Sequence, residues 1–419
     1  MSAPSLSLED AERYLLSLEL FGMRFGLDRM RRLMTALGHP QNEFDSIHVV
    51  GSNGKSSTTR MIAAILARHG LRTGSYTSPH LTSFTERIQV EERDLEPVAF
   101  GAAVGRAAHA ADLVNRSLGD DDRVTQFEAL TAAAYSELAR RGVRVAAIEA
   151  GFGGRYDATN VIPSKVQVLT SVGLEHTRWL GPTISHIASE KLDVVQKGGT
   201  LVLGNGLHPD AVAVAREVAV ARGARIVNAP DDPGVPVAAL GSFQRRNFAL
   251  ARTATEVYLG ALDEQAVADA AAHTRVPGRL QIIARDPLTI LDGAHNPEGV
   301  AALVESLGEP FAAGRSPLVA VVSILDDKDA AGMLNSLLPA CDALVFTSSH
   351  NPRALPAPTL QSLARQLEGP SAEIVSDPRA ALEHARELAG HAGTVLATGS
   401  IYLVADLLAP VSRARASTL

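Results

Sequence analysis

Short apolar runs, bounded by glycine, proline or charged residues, alternate along the chain with longer stretches whose apolar positions recur every three or four residues. The short runs predict buried strands and the longer ones helices, and their alternation predicts an α/β fold built on parallel sheets. Residues 46–50, 143–148, 166–172 and 200–203 read as strands in the first half, and 289–291, 318–322, 343–347 and 394–397 in the second. No internal repeat or low-complexity tract interrupts the pattern. Residues 229–236 (APDDPGVP) read as a turn-rich surface stretch within the first strand set. Between the two sets, Pro277, Gly278 and Pro287 punctuate the chain. The expected division is an N-terminal domain over residues 1–283 and a C-terminal domain over 284–419.

The 419-residue length agrees with two domains, and 46% hydrophobic with 20% charged residues is the composition of a globular protein. A net charge of -7 excludes a broad nucleic-acid footprint, which needs a basic excess. Cys341 is the only cysteine, so no intrachain disulfide forms, which suits a reducing compartment. Residues 1–10 lack the cationic start and apolar run of a signal peptide. The longest apolar stretches, 318–322 and 401–408, fall far short of the roughly 20 residues that cross a membrane. A cytoplasmic protein without membrane or nucleic-acid partners is expected.

Chemistry enters at Gly51-Ser52-Asn53-Gly54-Lys55-Ser56-Ser57, which follows the first strand and opens a helix with Met61, Ile62, Ile65 and Leu66 on one face. Strand, glycine turn, lysine and helix N-terminus form an anion cradle in which backbone N–H groups and the helix dipole meet phosphates. Val49 stands where the common eight-residue phosphate loop has its first glycine. Glu149 ends another strand, where α/β proteins place ligand-binding groups, and a hard carboxylate suits Mg²⁺. Asp292 and Ser400 likewise follow strands, and Ser400 precedes a predicted helix over 401–408.

The loop resembles the GTNGKxS loop of the Mur ligase superfamily. An ordered set of further motifs resembles its folylpolyglutamate synthase/dihydrofolate synthase branch. They are Thr77-Ser78-Pro79-His80-Leu81, Phe127-Glu128-Ala129-Leu130-Thr131, the run from Glu149 to Asn160, Glu175-His176, Ser189-Glu190-Lys191 and Pro277-Gly278-Arg279. Asp292-Gly293-Ala294-His295-Asn296-Pro297, Asp327-Lys328-Asp329 and Thr398-Gly399-Ser400-Ile401-Tyr402 follow. Together they span residues 51–402. The resemblance implies a P-loop-type ATPase domain, a smaller Rossmann-like C-terminal domain and an active site between them.

It also implies ligation of L-glutamate to dihydropteroate, to tetrahydrofolate (poly)glutamates or to both, through an acyl phosphate made with ATP and Mg²⁺. By resemblance Ser78, Glu149 and His176 are metal ligands, and Lys191 matches a lysine commonly carbamylated in the family. Leu192-Asp193 follows it where the family usually has Ala-Gly. Arg279 resembles an arginine that reaches the ATP phosphates, Gln244 and Asn247 match positions near the nucleotide, and Asp292 resembles the residue that holds the ribose. His295, Lys328 and Ser400 are candidates for the incoming glutamate, and His295 is alternatively a proton carrier. Residues 125–128, including Phe127, and Tyr156-Asp157-Ala158 fall where the bifunctional enzymes hold the pterin. A monomer is expected. Two other readings stay open: a Mur-type ligase acting on a UDP-linked muropeptide, and a non-catalytic nucleotide-binding protein.

Overall fold

The computed structural model describes residues 6–19, 26–119, 122–308 and 317–409. Residues 1–5, part of the stretch read for a signal peptide, lie outside them. Two sheets organise the chain. The first holds β1 (Asp45–Val50), β2 (Thr73–Tyr76), β3 (Ile88–Val90), β4 (Arg93–Asp94), β5 (Val145–Glu149), β6 (Val166–Leu169), β7 (Thr200–Leu203) and β8 (Arg225–Asn228). Their spatial order is β4-β3-β2-β5-β1-β6-β7-β8, parallel except for β3 and β4 at one edge. The second sheet holds β9 (Gln281–Arg285), β10 (Leu288–Leu291), β11 (Leu318–Val322), β12 (Ala343–Phe346), β13 (Ser371–Ile374) and β14 (Thr394–Thr398). Its order is β13-β12-β11-β14-β10-β9, with only β9 antiparallel.

The eight strands expected from apolar runs all form. Interior strands of a parallel sheet are covered by helices on both faces, so their sequences are mostly apolar and stand out. β1 shows this: Ile47 and Val49 pack with Met61, Ile62, Ile65 and Leu66 of helix Lys55–Arg68 on one face. The edge strands β4, β8 and β13 carry charged residues and expose much of their surface, and they escaped the pattern. β2 is buried but reads Thr-Gly-Ser-Tyr; a Cβ at Gly74 would press to 2.5 Å against Leu138, so close packing of helix Gln126–Arg140 excludes a larger residue. β9 straddles the division expected at residue 283 and belongs to the second sheet.

β1 lies between β5 and β6, so the chain leaves it toward both sides and its carboxyl end opens a crevice where α/β proteins bind ligands. Among the described residues, no helix is long and apolar enough to cross a membrane.

Candidate active site

The loop after β1 is held in place from several directions. Gly51 and Gly54 have φ of +151° and +83°, and a Cβ on Gly51 would collide with Thr170 Oγ1, one on Gly54 with Asn247 Oδ1 at 2.5 Å. The segment after β6 braces the loop: Ser52 N–H donates to Ser171 O (2.9 Å), Asn53 N–H to Ser171 Oγ (2.8 Å) and Gly173 N–H to Ser52 Oγ (3.0 Å). Lys55 Nζ folds back to donate to Gly51 O (2.9 Å) and Ser52 O (3.3 Å). Ser57 is buried in the first helical turn.

Lys191, on helix Ile184–Leu192, is buried and donates to the same Gly51 carbonyl (3.0 Å) and to Glu175 Oε1 (2.6 Å). Burial pushes the Glu175 carboxyl up, but Lys191 beside it, with Lys55 behind, holds it well below the usual carboxylate range. Two lysines thus converge on the phosphate loop with one carboxylate between them, an arrangement that draws polyanions.

Glu149, at the end of β5, is 1% exposed. Its Oε1 accepts from Ser56 Oγ (2.9 Å) and its Oε2 from Ser78 N–H (3.1 Å). Burial raises its carboxyl, and Lys55, the two hydrogen bonds and Arg279 oppose the rise. Among the described residues, no three His, Cys, Asp or Glu side chains gather as a metal cluster. The donors fit a hard divalent cation that keeps its waters and shares itself with phosphate oxygens, which needs only one or two carboxylates. His176 sits in left-handed backbone (φ +47°) with its ring edge-on to Phe152, centroids 4.9 Å apart. Desolvation in the cleft first, and Lys328 second, push its imidazole down to about 4, although much of its surface stays exposed. A neutral imidazole retains a lone pair for coordination.

The second lobe faces these groups. Asp292, at the end of β10, is buried and accepts from Leu280 N–H (2.9 Å) and Ala294 N–H (2.8 Å), which clasps the interlobe segment. Arg279 acts on both carboxylates, Glu149 of the first lobe and Asp292 of the second. His295 shares a hydrogen bond between Nδ1 and Gly293 O (2.9 Å); burial, then Lys328, pushes it down to about 4. Lys328 therefore acts on a histidine from each lobe, and it pairs with Asp327 at 2.9 Å. Gln244 is buried on helix Ser242–Leu259, accepts from Asn247 Nδ2 (3.0 Å) and lies beside the loop through Asn247. Ser400 caps helix Ile401–Leu408, its Oγ accepting from Tyr402 N–H at 3.1 Å.

The lobes also touch at the phosphate loop itself. Asn53 Nδ2 donates to Asn296 Oδ1 (3.2 Å), and Asn296 Nδ2 returns a bond to Asn53 Oδ1 (2.9 Å). Asn296 also caps helix Pro297–Ser306 through Gly299 N–H (2.7 Å).

The residues expected at the pterin end are tied into local structure. Phe127 stacks on Tyr76 with centroids 6.0 Å apart and its ring lies over Gly151. Glu128 closes a capping box with Thr125 and takes Arg29 Nε on both oxygens at 3.0 Å. Asp157 is buried and accepts from Phe152 N–H (2.7 Å) and Thr159 N–H (3.0 Å). Glu175 and Asn296 stand in the motifs without an assigned task, and Arg353, which pairs with Asp327 at 3.6 Å, falls outside them. Asn-Pro ahead of an apolar helix is a start signal that marks Asn296. Glu175 and Arg353 meet their partners only through tertiary structure.

Comparison with known proteins agrees with the two-sheet α/β fold. Residues 278–401 match the family described as Mur ligase, glutamate ligase domain. The chain is 35% identical over 364 residues to the folylpolyglutamate synthase of Lacticaseibacillus casei, covering 80% of this chain and 84% of that one. Folylpolyglutamate synthase of Mycobacterium tuberculosis, solved with ADP, superposes with a TM-score of 0.89 at 31% identity over 96% of this chain and 97% of the other. A bifunctional folylpolyglutamate synthase/dihydrofolate synthase solved with Mn, AMPPNP and L-glutamate gives a TM-score of 0.84 at 28% identity, covering 97% and 98%. This chain belongs to the folylpolyglutamate synthase/dihydrofolate synthase branch of the Mur ligase superfamily.

Proposed function

We propose that the protein uses ATP and Mg²⁺ to join L-glutamate to the carboxylate of a folate-type acid, either dihydropteroate or a tetrahydrofolate (poly)glutamate. The observation that carries this reading is the meeting of the phosphate loop and Glu149 from one lobe with Arg279, His295 and Lys328 from the other. A nucleotide-binding module alone has no use for that second set. Amide synthesis from a carboxylate needs a leaving group. An oxygen of the acid takes the γ-phosphoryl, and the glutamate amine then attacks the acyl carbon and releases phosphate.

Residues Gly51 to Ser57 cradle the phosphates, with Lys55 supplying charge where it develops in phosphoryl transfer. Glu149, with Ser78 hydrogen-bonded to it, and His176 would hold Mg²⁺, whose charge would neutralise the phosphoryl oxygens. Lys191 fixes Gly51 and Glu175. Arg279 and Asp292 belong to the nucleotide from the second lobe, and Gln244 and Asn247 border it from the first. Lys328 and Ser400 receive the glutamate carboxylates. His295, neutral at physiological pH, takes the proton that the glutamate nitrogen gives up once it has bonded to the acyl carbon. Phe127 and Asp157 line the acid end. The lobes divide near Arg279, between helix Glu264–His273 and β9. A cytoplasmic monomer suits small-molecule substrates of this kind.

The test is ADP release measured with dihydropteroate and with tetrahydrofolate, each with and without glutamate. Glutamate-dependent release with at least one acid is expected. Release with neither acid, in protein that binds ATP, would refute the reading.

A further inference from the structure

Among the buried titratable groups that the machinery above does not use is His48. His48 is in the middle of β1, paired in register with Ile148 of β5 and Gln167 of β6, and it is fully buried. Its Nε2 lies 2.8 Å from Thr159 Oγ1, while its Nδ1 has no hydrogen-bond partner among the described residues. Thr159 Oγ1 is in turn in short hydrogen-bond contact with Asp157 Oδ1.

The proton order follows from what each group can do. An ionised carboxylate only accepts, so the Thr159 hydroxyl proton points to Asp157. The same oxygen must then accept from His48, which places the imidazole proton on Nε2 and leaves the bare lone pair on Nδ1. Protonating Nδ1 would put a second N–H in an apolar interior without an acceptor. Burial correspondingly pushes His48 down to about 4.

The far end of the chain organises a loop. Asp157 Oδ2 accepts from Phe152 N–H at 2.7 Å, and the Gly151 N–H also reaches this carboxylate. Tyr135 OH donates to Thr159 O at 3.0 Å from helix Gln126–Arg140. The Gly151–Asp157 loop therefore hangs on a hydrogen-bonded line that starts inside the strand leading into Gly51. A hydrophobic residue at position 48 would have served core packing better, because a buried imidazole with one empty nitrogen costs desolvation.

We infer that His48 is a positioning residue of the acid-substrate site, acting through Thr159 and Asp157 to hold the Gly151–Asp157 loop in its substrate-receiving shape. This rests on the proposed function, in which that loop borders the acid. The strand that ends in the phosphate loop also sets the loop beside the acid, so phosphoryl donor and acceptor share one support.

The test compares KM for dihydropteroate, ATP and glutamate in wild type, His48→Gln, His48→Leu and Thr159→Val, with thermal melts to confirm folding. His48→Leu and Thr159→Val are expected to raise the acid KM on the order of tenfold, with less than about twofold change for ATP and glutamate. His48→Gln keeps an N–H donor and should restore the acid KM to within about threefold of wild type. Should His48→Leu not fold, Thr159→Val carries the same comparison. Independently, nitrogen NMR of the wild type, with His48 identified by its loss in His48→Gln, should show the proton on Nε2 at neutral pH. A proton on Nδ1, or an unmoved acid KM in folded Thr159→Val, would overturn the inference, as would equal rises for all three substrates. Wild type inert toward every substrate would overturn the functional reading as well, whereas active wild type with any of these results overturns this inference alone.

Discussion

The Ser400 hydroxyl is 1% exposed and spends itself on the Tyr402 N–H, so its first duty is to cap a helix. Ser400→Ala should therefore cost about 1 kcal/mol of stability, read from the urea midpoint. If the hydroxyl also serves the amino acid, the same variant raises the glutamate KM more than the ATP KM; equal rises would leave Ser400 a cap alone. At this scale the sequence was uneven. Lys55 and Glu149 were legible because a strand, a glycine turn and a helix start fix where such side chains end up. The Lys191–Glu175 pair was not, since nothing in residues 16 positions apart announces that a helix will press its lysine against the phosphate loop. Asp157 shows what residue type alone does not carry. Its type and place suit a substrate carboxylate, yet the structure commits its oxygens to its own loop.

Elements carry the pH response. His48 on β1 and His295 after β10 are both pushed down to about 4 by burial, against an ordinary 6.5. The unfolded chain binds these protons at the ordinary value and the folded chain does not, so stability falls as pH drops below about 6.5. Glu149, Asp157 and Asp292, raised by burial, work in the other sense and offset part of the loss once pH enters the carboxylate range. A series of melting temperatures should decline from about pH 6.5 to about pH 5, and more shallowly in His48→Gln. Identical slopes would mean that His48 is not held neutral. The strands themselves were readable where both faces are covered by large apolar side chains, as in β7 and β11, whose ends match the expected runs. Charged edge strands and the glycine-containing β2 gave no apolar run to read.

Across the whole molecule, the two lobes are joined at the nucleotide cradle, through the reciprocal Asn53–Asn296 amide pair and through Arg279. Asn296→Ala removes both hydrogen bonds of the interlobe amide pair and a helix cap. Weakened ATP binding by calorimetry, together with a lower melting temperature, is expected; unchanged ATP affinity would assign Asn296 to capping only. The order of motifs already separates the phosphate loop from the Asp292, Lys328 and Ser400 motifs, while the contact between the lobes was not legible, because it depends on side chains 243 residues apart. The central claim is that the acid is activated on the first lobe before glutamate, held by the second, displaces phosphate. The most direct measurement places heavy oxygen in the carboxylate of the acid and follows it by mass spectrometry. One labelled oxygen is expected in each phosphate released; phosphate free of label, with amide still formed, would contradict activation through an acyl phosphate.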